Sequence, residues 1–124
     1  MVISKKYENA ILYICSQLGG SLRGKKKLAK LLYYLDFDRY EFNESMRSVT
    51  GDTYVAWKMG PVPEHFKEAL SDVVKKGSIE ITQEKESDSL LPTEIYTAKT
   101  DPDMSVFDDD DKAMLSRIVK KYGG

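Results

Sequence analysis

Ser48-Val49-Thr50-Gly51-Asp52-Thr53-Tyr54-Val55-Ala56-Trp57-Lys58-Met59-Gly60-Pro61-Val62-Pro63 is the stretch on which the fold turns. Gly51-Asp52 is a turn signal. From Thr53 to Trp57 the residues alternate, with Thr53, Val55 and Trp57 on one face and Tyr54 and Ala56 on the other, as in a short strand. Gly60-Pro61-Val62-Pro63 then fixes two φ angles near −65° and removes two backbone donors. Each proline also drives the residue before it out of the helical region. The segment therefore reads as a rigid, non-helical bridge between a helix ending near Phe42 and another with Pro63 at its first position, where a missing N–H costs nothing. It holds the only Trp of the chain, and its aromatic side chains make it the first candidate for a binding surface.

Helical signals lie on both sides of the bridge. Tyr7, Ala10, Ile11, Ile14, Cys15 and Leu18 recur at three- and four-residue spacing after Ser4, a suitable N-cap, and before Gly19-Gly20. A connector, Ser21 to Gly24, leads to a second helix from Lys25 to Tyr40 with its stripe at Leu28, Leu31, Leu32 and Leu35. Tyr33, Tyr34, Phe37 and Tyr40 make this helix aromatic on more than one side. Residues 43–50 are polar and read as a loop. Past Pro63, the positions Phe66, Ala69, Leu70, Val73 and Val74 form an apolar face closed by Lys75-Lys76-Gly77. Ser78 to Thr82 and Thr93 to Ala98 alternate and read as a β-hairpin with a long, mobile tip between them. Asp108 to Asp111 supply a cap and an acidic first turn for a last helix carrying Met114, Leu115, Ile118, Val119 and Tyr122.

The order helix, helix, strand, helix, hairpin, helix predicts an α+β, mainly α domain: four short helices with a small antiparallel sheet, echoing winged-helix architecture. A chain of 124 residues with 41% apolar and 31% charged residues suits one domain spanning 1–124. No run approaches the roughly 18 apolar residues of a membrane span. The N-terminus lacks an apolar signal region, and the lone Cys15 cannot form an internal disulfide, so a cytoplasmic protein is expected. Net charge is −1 but polarised: residues 1–60 carry ten Lys/Arg against six Asp/Glu, residues 61–124 nine against fourteen. Such polarity can steer a charged partner and is also common in small domains.

Catalytic chemistry finds no foothold. One Cys and one His exclude a zinc site built from those ligands, and no nucleophile elbow, phosphate loop or dinucleotide fingerprint is present. His65 stands alone at a helix start and reads as structural or surface; Cys15 lies on an apolar stripe and reads as core. No cofactor or metal is expected, and the chain reads as a binding protein and not an enzyme. Two surfaces compete. One is the bridge, with Asp52, Tyr54, Trp57, Gly60, Pro61 and Pro63 as partner-binding residues, against the alternative that Tyr54 and Trp57 are core and the prolines only orient the next helix. The other is Lys25, Lys26, Lys27 and Lys30, clustered where the helix dipole disfavours cations. These four form either a nucleic-acid or anion patch or a solvated face.

Lys27-Leu28-Ala29-Lys30-Leu31-Leu32-Tyr33-Tyr34-Leu35-Asp36, followed by Thr50-Gly51-Asp52-Thr53-Tyr54-Val55-Ala56-Trp57 and Gly60-Pro61-Val62-Pro63, resembles the Panacea domain. This is the SocA-like antitoxin family that includes phage-associated proteins of the GepA type. The likeness covers roughly residues 5 to 122. It implies an antitoxin that neutralises a cognate toxin by direct contact, with different members pairing with very different toxins. One type works as an adaptor that delivers its toxin to a Clp-type protease. Members often continue into a segment ending near a His and a Pro-Trp; this chain stops at Gly124, so the likeness also implies a domain cut short at its C-terminus. The other function consistent with the element order is a winged-helix DNA-binding regulator of phage or mobile-element origin. Its recognition helix would be 63–76, whose mixed charges (Glu64, Glu68 and Asp72 among Lys67, Lys75 and Lys76) do not suit a DNA-facing surface.

Overall fold

The computed structural model describes residues 3–18, 21–43, 49–52, 54–57, 60–84 and 93–122. In chain order the elements are α1 (Lys5–Gln17), β1 (Ser21–Arg23), α2 (Lys25–Asn43), β2 (Tyr54–Trp57), β3 (Gly60–Pro63), α3 (Phe66–Lys75), β4 (Ile79–Glu84), β5 (Thr93–Ala98), a 3₁₀ turn (Met104–Val106) and α4 (Asp109–Tyr122). The α+β, mainly α reading holds. Strands β1, β5 and β4 form one antiparallel sheet in that order, and β2 and β3 form a separate hairpin. Taken without that hairpin and without α4, the order α1-β1-α2-α3-β4-β5 with β5 central is winged-helix connectivity.

Local chemistry sets most boundaries. Ser4 Oγ accepts from Tyr7 N at 3.1 Å, the N-cap expected for α1. Asp108 and Asp111 cap α4 reciprocally: Asp111 N donates to Asp108 Oδ1 at 2.7 Å and Asp108 N to Asp111 Oδ2 at 3.1 Å. That is a capping box with aspartate at both ends. Helix α3 stops at Gly77, whose φ of 75° is the left-handed conformation glycine adopts without strain. Ser78 N then donates to Val73 O at 3.0 Å, turning the chain directly into β4.

Two expectations fail, each for a physical reason. Ser21–Arg23 is not a plain connector but edge strand β1, registered Ser21↔Thr97, Leu22↔Tyr96 and Arg23↔Ile95. Three residues are too few for alternation to show in a sequence. Gly60–Pro63 is not a helix lead-in but strand β3, registered Trp57↔Gly60, Ala56↔Pro61, Val55↔Val62 and Tyr54↔Pro63. Prolines two residues apart aim their missing N–H groups the same way. An antiparallel ladder alternates bonded and unbonded pairs, so both prolines can occupy unbonded positions while Gly60 and Val62 donate. Helix α3 accordingly begins at Phe66, with Glu64 and His65 in the turn before it. The tip of the β4–β5 hairpin, residues 85–92, and most of the loop after α2, residues 44–48, lie outside the described residues.

The core is one cluster. Tyr7, Ile11 and Ile14 of α1 meet Leu28, Leu31, Leu32 and Leu35 of α2, Phe66 and Val73 of α3, Tyr96 of β5, and Met114, Leu115 and Ile118 of α4. Cys15 belongs to it, and burial pushes its thiol up to about 12, so it is core and not nucleophile. Helix α1 is tied outward on two sides: Lys76 Nζ reaches both Glu8 carboxylate oxygens at 2.8 and 2.7 Å, and Lys6 Nζ lies 2.7 Å from Asp111 Oδ2. Because α1 is a wall of the core, cutting one of its fully buried side chains should be costly. Ile11→Ala is expected to lower stability by about 2–5 kcal/mol, read as a shifted urea midpoint with an unchanged denaturant slope.

Candidate functional site

The β2–β3 hairpin is held on the body by two buried carboxylates. Asp36 follows Leu32 by one helical turn, at the margin of the leucine stripe of α2, and is only 4% exposed. Its Oδ1 accepts from Val49 N at 2.9 Å and Thr50 N at 3.0 Å; its Oδ2 accepts from Thr50 Oγ1 at 2.6 Å and lies 2.6 Å from the Tyr54 hydroxyl. Burial raises the Asp36 pKa, and the bonds from Thr50, Tyr54 and Val49 oppose that rise. The Tyr54 hydroxyl is also 2.9 Å from the Leu32 carbonyl oxygen. One phenolic proton serves one acceptor at a time; a proton on Asp36 lets both contacts bond together.

Asp52 is the second anchor. Gly51, at φ 75°, makes the turn that sends the Asp52 carboxylate inward. Oδ2 accepts from the Tyr7 hydroxyl at 2.8 Å and from His65 N at 2.9 Å; His65 Nδ1 donates to Oδ1 at 2.8 Å. Both carboxylate oxygens are acceptors, so Nδ1 carries the proton. The Asp52 side chain is fully buried, whereas that of His65 is about a quarter exposed. The bond to Asp52 raises the His65 pKa, against the opposing effect of desolvation, with Glu68 and Glu64 adding to the rise. The two anchors are linked: Asp52 N donates to Thr50 Oγ1 at 3.1 Å, and Thr50 Oγ1 donates to Asp36.

Outside this network lies an aromatic cluster. Tyr33 stacks on Phe37 with ring centroids 4.5 Å apart, and Tyr54 meets both edge-on, at 5.7 Å from Tyr33 and 5.4 Å from Phe37. Phe37 is 43% exposed and Val55 38%. Tyr54 therefore bridges inside and outside, its hydroxyl in the polar network and its ring against the surface cluster.

The structure places five of the six bridge residues in one hairpin, with Asp52 just before it. Asp52 and Pro63 are buried and Tyr54 is half-buried with its hydroxyl inward. Trp57, Gly60 and Pro61 lie at the hairpin turn, their side chains outside the described residues. Of the four lysines, Lys26 and Lys30 are exposed and Lys27 is half-buried; Lys25 starts α2 with its side chain outside the description. Sequence reasoning missed Tyr7, Asp36 and Thr50 as network members. A carboxylate set among the leucines of α2 was the available signal for Asp36; nothing local marked the other two. His65, expected to be structural or surface, has a structural role: its backbone N–H and ring N–H both donate to Asp52.

Asp52, Glu64 and His65 have ligand atoms within 4.8 Å of one another, the spacing of a cation site. Both Asp52 oxygens already accept hydrogen bonds, so a cation there would displace the His65 Nδ1–H. Among the described residues no helix is long and apolar enough to cross a membrane.

Residues 28–124 match the family model of the antitoxin SocA-like Panacea domain. The chain belongs to that family. The matched span contains Asp36, Thr50, Asp52, Tyr54 and His65 but begins after α1, and so leaves out Tyr7. Curated proteins and solved structures yield no match to the chain.

Two measurements probe the anchors. Tyr54→Phe removes the hydroxyl from the buried Asp36 and is expected to cost about 1–3 kcal/mol of unfolding free energy. The His65 pKa is higher folded than unfolded, so its contribution is full below the unfolded value of roughly 6.5 and is lost as pH rises through the folded value. Melting temperature should therefore fall on raising the pH from about 6 upward, and that slope should flatten in His65→Gln.

Proposed function

We propose that the chain is an antitoxin that neutralises a cognate toxin protein by direct contact through the β2–β3 hairpin and the α2 surface beside it. Membership of the SocA-like antitoxin family supports a toxin as partner in general. The observation that carries the site is a hairpin held by buried bonds on one side while exposing Val55 and abutting the exposed Phe37 on the other. A surface held rigid before binding loses little conformational freedom on association. In this reading Asp52, Tyr54 and Pro63 set the shape of the hairpin, and Trp57, Gly60 and Pro61 at its turn meet the toxin. Binding needs no catalytic set, which fits a non-enzymatic antitoxin working in the cytoplasm. Delivery of the bound toxin to a Clp-type protease is a finer version of the same function. It requires ATP-dependent loss of the toxin when the protease, the toxin and this chain are mixed.

DNA binding through Lys25, Lys26, Lys27 and Lys30 is the weaker reading. Winged-helix connectivity favours it; the third helix opposes it, since its exposed face mixes Lys67 and Lys75 with Glu68. A gel shift on the chain's own promoter must weaken steeply as salt rises if phosphates drive binding.

The deciding experiment co-expresses the chain with the product of its neighbouring gene. The wild-type chain should restore growth that the neighbour arrests, and Trp57→Ala should lose at least part of that rescue. A neighbour harmless by itself would sink the antitoxin reading for this pair.

A further inference from the structure

Helix α2 presents a second face that the core does not use. At 100° per residue, Lys26, Lys30, Tyr33 and Phe37 fall within about 60° of one another. Leu28, Leu31, Leu32 and Leu35 centre on the opposite side. The four outward residues form a ridge about 16 Å long at 1.5 Å per residue. Lys26 and Lys30 are exposed, Tyr33 is half-buried and Phe37 is exposed. Tyr54 and Val55 of the hairpin widen the aromatic end.

The cationic end is not neutralised within the fold, a state it shares among the described residues with Lys67 and Lys75. Lys6, Lys76 and Lys99 each sit within 3.2 Å of a carboxylate oxygen. Among the described residues neither Lys26 nor Lys30 has such a partner, and the first turn of α2 holds no acidic residue. Lys26 lies in the first turn of α2, at the positive end of the helix dipole, where cations are disfavoured. An apolar anchor beside two unpaired cations is complementary to a segment with the reverse pattern.

We infer that the Lys26–Lys30–Tyr33–Phe37 ridge is a docking site for a protein segment bearing an aromatic or aliphatic anchor flanked by carboxylates. The anchor packs on the Phe37 and Tyr33 rings at the hairpin edge, and the carboxylates face the two lysines one to three turns away. This deepens the antitoxin reading, because it states the chemistry of the toxin surface. Single-stranded nucleic acid is the other class that combines charge with stacking. The geometry disfavours it: Tyr33, Phe37 and Tyr54 already pack against one another, leaving no open slot between rings for a base. The net charge of −1 adds no general attraction for phosphate.

The test uses the full chain and a displayed library of random twelve-residue peptides, so it does not depend on any toxin. Selected peptides should be enriched in an aromatic or aliphatic residue with Asp or Glu within a few positions. Their affinity should fall about tenfold or more in Phe37→Ser and in the double variant Lys26→Glu/Lys30→Glu. Placing acids in the first turns of α2 suits the helix dipole. That double variant should therefore melt no lower than wild type, and lost binding cannot be assigned to unfolding. Lys26→Arg/Lys30→Arg should retain binding. Peptides without the acidic–apolar pattern, or binding that survives both variants within twofold, would overturn the inference. So would an oligothymidylate that displaces the peptides and binds the ridge more tightly than they do. The co-expression assay separates the two claims. Rescue that persists in Phe37→Ser, with no patterned peptides, leaves the antitoxin function and removes the ridge; a patterned, ridge-dependent selection without rescue does the reverse.

Discussion

Asp52 is the atom group on which the arrangement depends. One carboxylate, fully withdrawn from water, accepts the hydroxyl of Tyr7 from α1 and both the backbone N–H and the ring N–H of His65 at the entry to α3. These three donors come from residues 45 positions earlier and 13 later in the chain. A buried carboxylate is tolerated only when its lone pairs are met by fixed donors. Each donor offsets part of the cost of burying the carboxylate, so α1, the hairpin start and α3 are tied to one another through it. Asp36 does the same one step along, fastening the residues just before the hairpin to α2, and Thr50 Oγ1 joins the two sites into a single network. Such networks couple their members more strongly than isolated pairs do.

That coupling explains why α1 cannot be an accessory. It lies before the matched family span, yet Tyr7, Ile11 and Ile14 are completely buried and Tyr7 is also a donor to Asp52. Burial pushes the Tyr7 phenol far above its usual range, with Asp52 adding to the rise, so it stays protonated and remains a donor. The helix thus contributes to the core through its stripe and to the candidate site through one hydroxyl at its start.

What the sequence revealed follows the range of the forces involved. Helices α1, α2 and α4 rest on neighbours within four residues, and the spacing of Ser4, Tyr7 and Ile11 or the Asp108–Asp111 pair displays them directly; the β4–β5 hairpin shows through the alternation within each of its strands. The β2–β3 hairpin was half legible. Tyr54–Trp57 alternated as a strand, but Pro61 and Pro63 read as breakers, because a ladder position that needs no donor is defined only by the partner strand. The polar network was illegible for a similar reason. Nothing near Tyr7 or Thr50 announces a carboxylate brought in from elsewhere in the chain, whereas Asp36, set among four leucines of its own helix, was at least anomalous where it stood.

The hairpin divides labour between its two sides, and this bears on where specificity resides. Pro63 is buried, and the bonds of Asp52 and the Tyr54 hydroxyl are spent on Tyr7, His65, Asp36 and Leu32. Changing them alters whether the hairpin is held. Val55 and Phe37 face solvent and take part in none of those bonds, so they can change without disturbing the anchors. Tyr54 is the exception, since its ring touches the surface cluster while its hydroxyl is inside. A fold of this kind can keep one rigid platform and vary what it presents by substituting outward residues of α2 and β2. Within the proposed antitoxin reading, Asp52, Tyr54 and Pro63 of the signature stretch belong to the platform, and partner choice falls to its turn residues and to the outward side chains of α2 and β2.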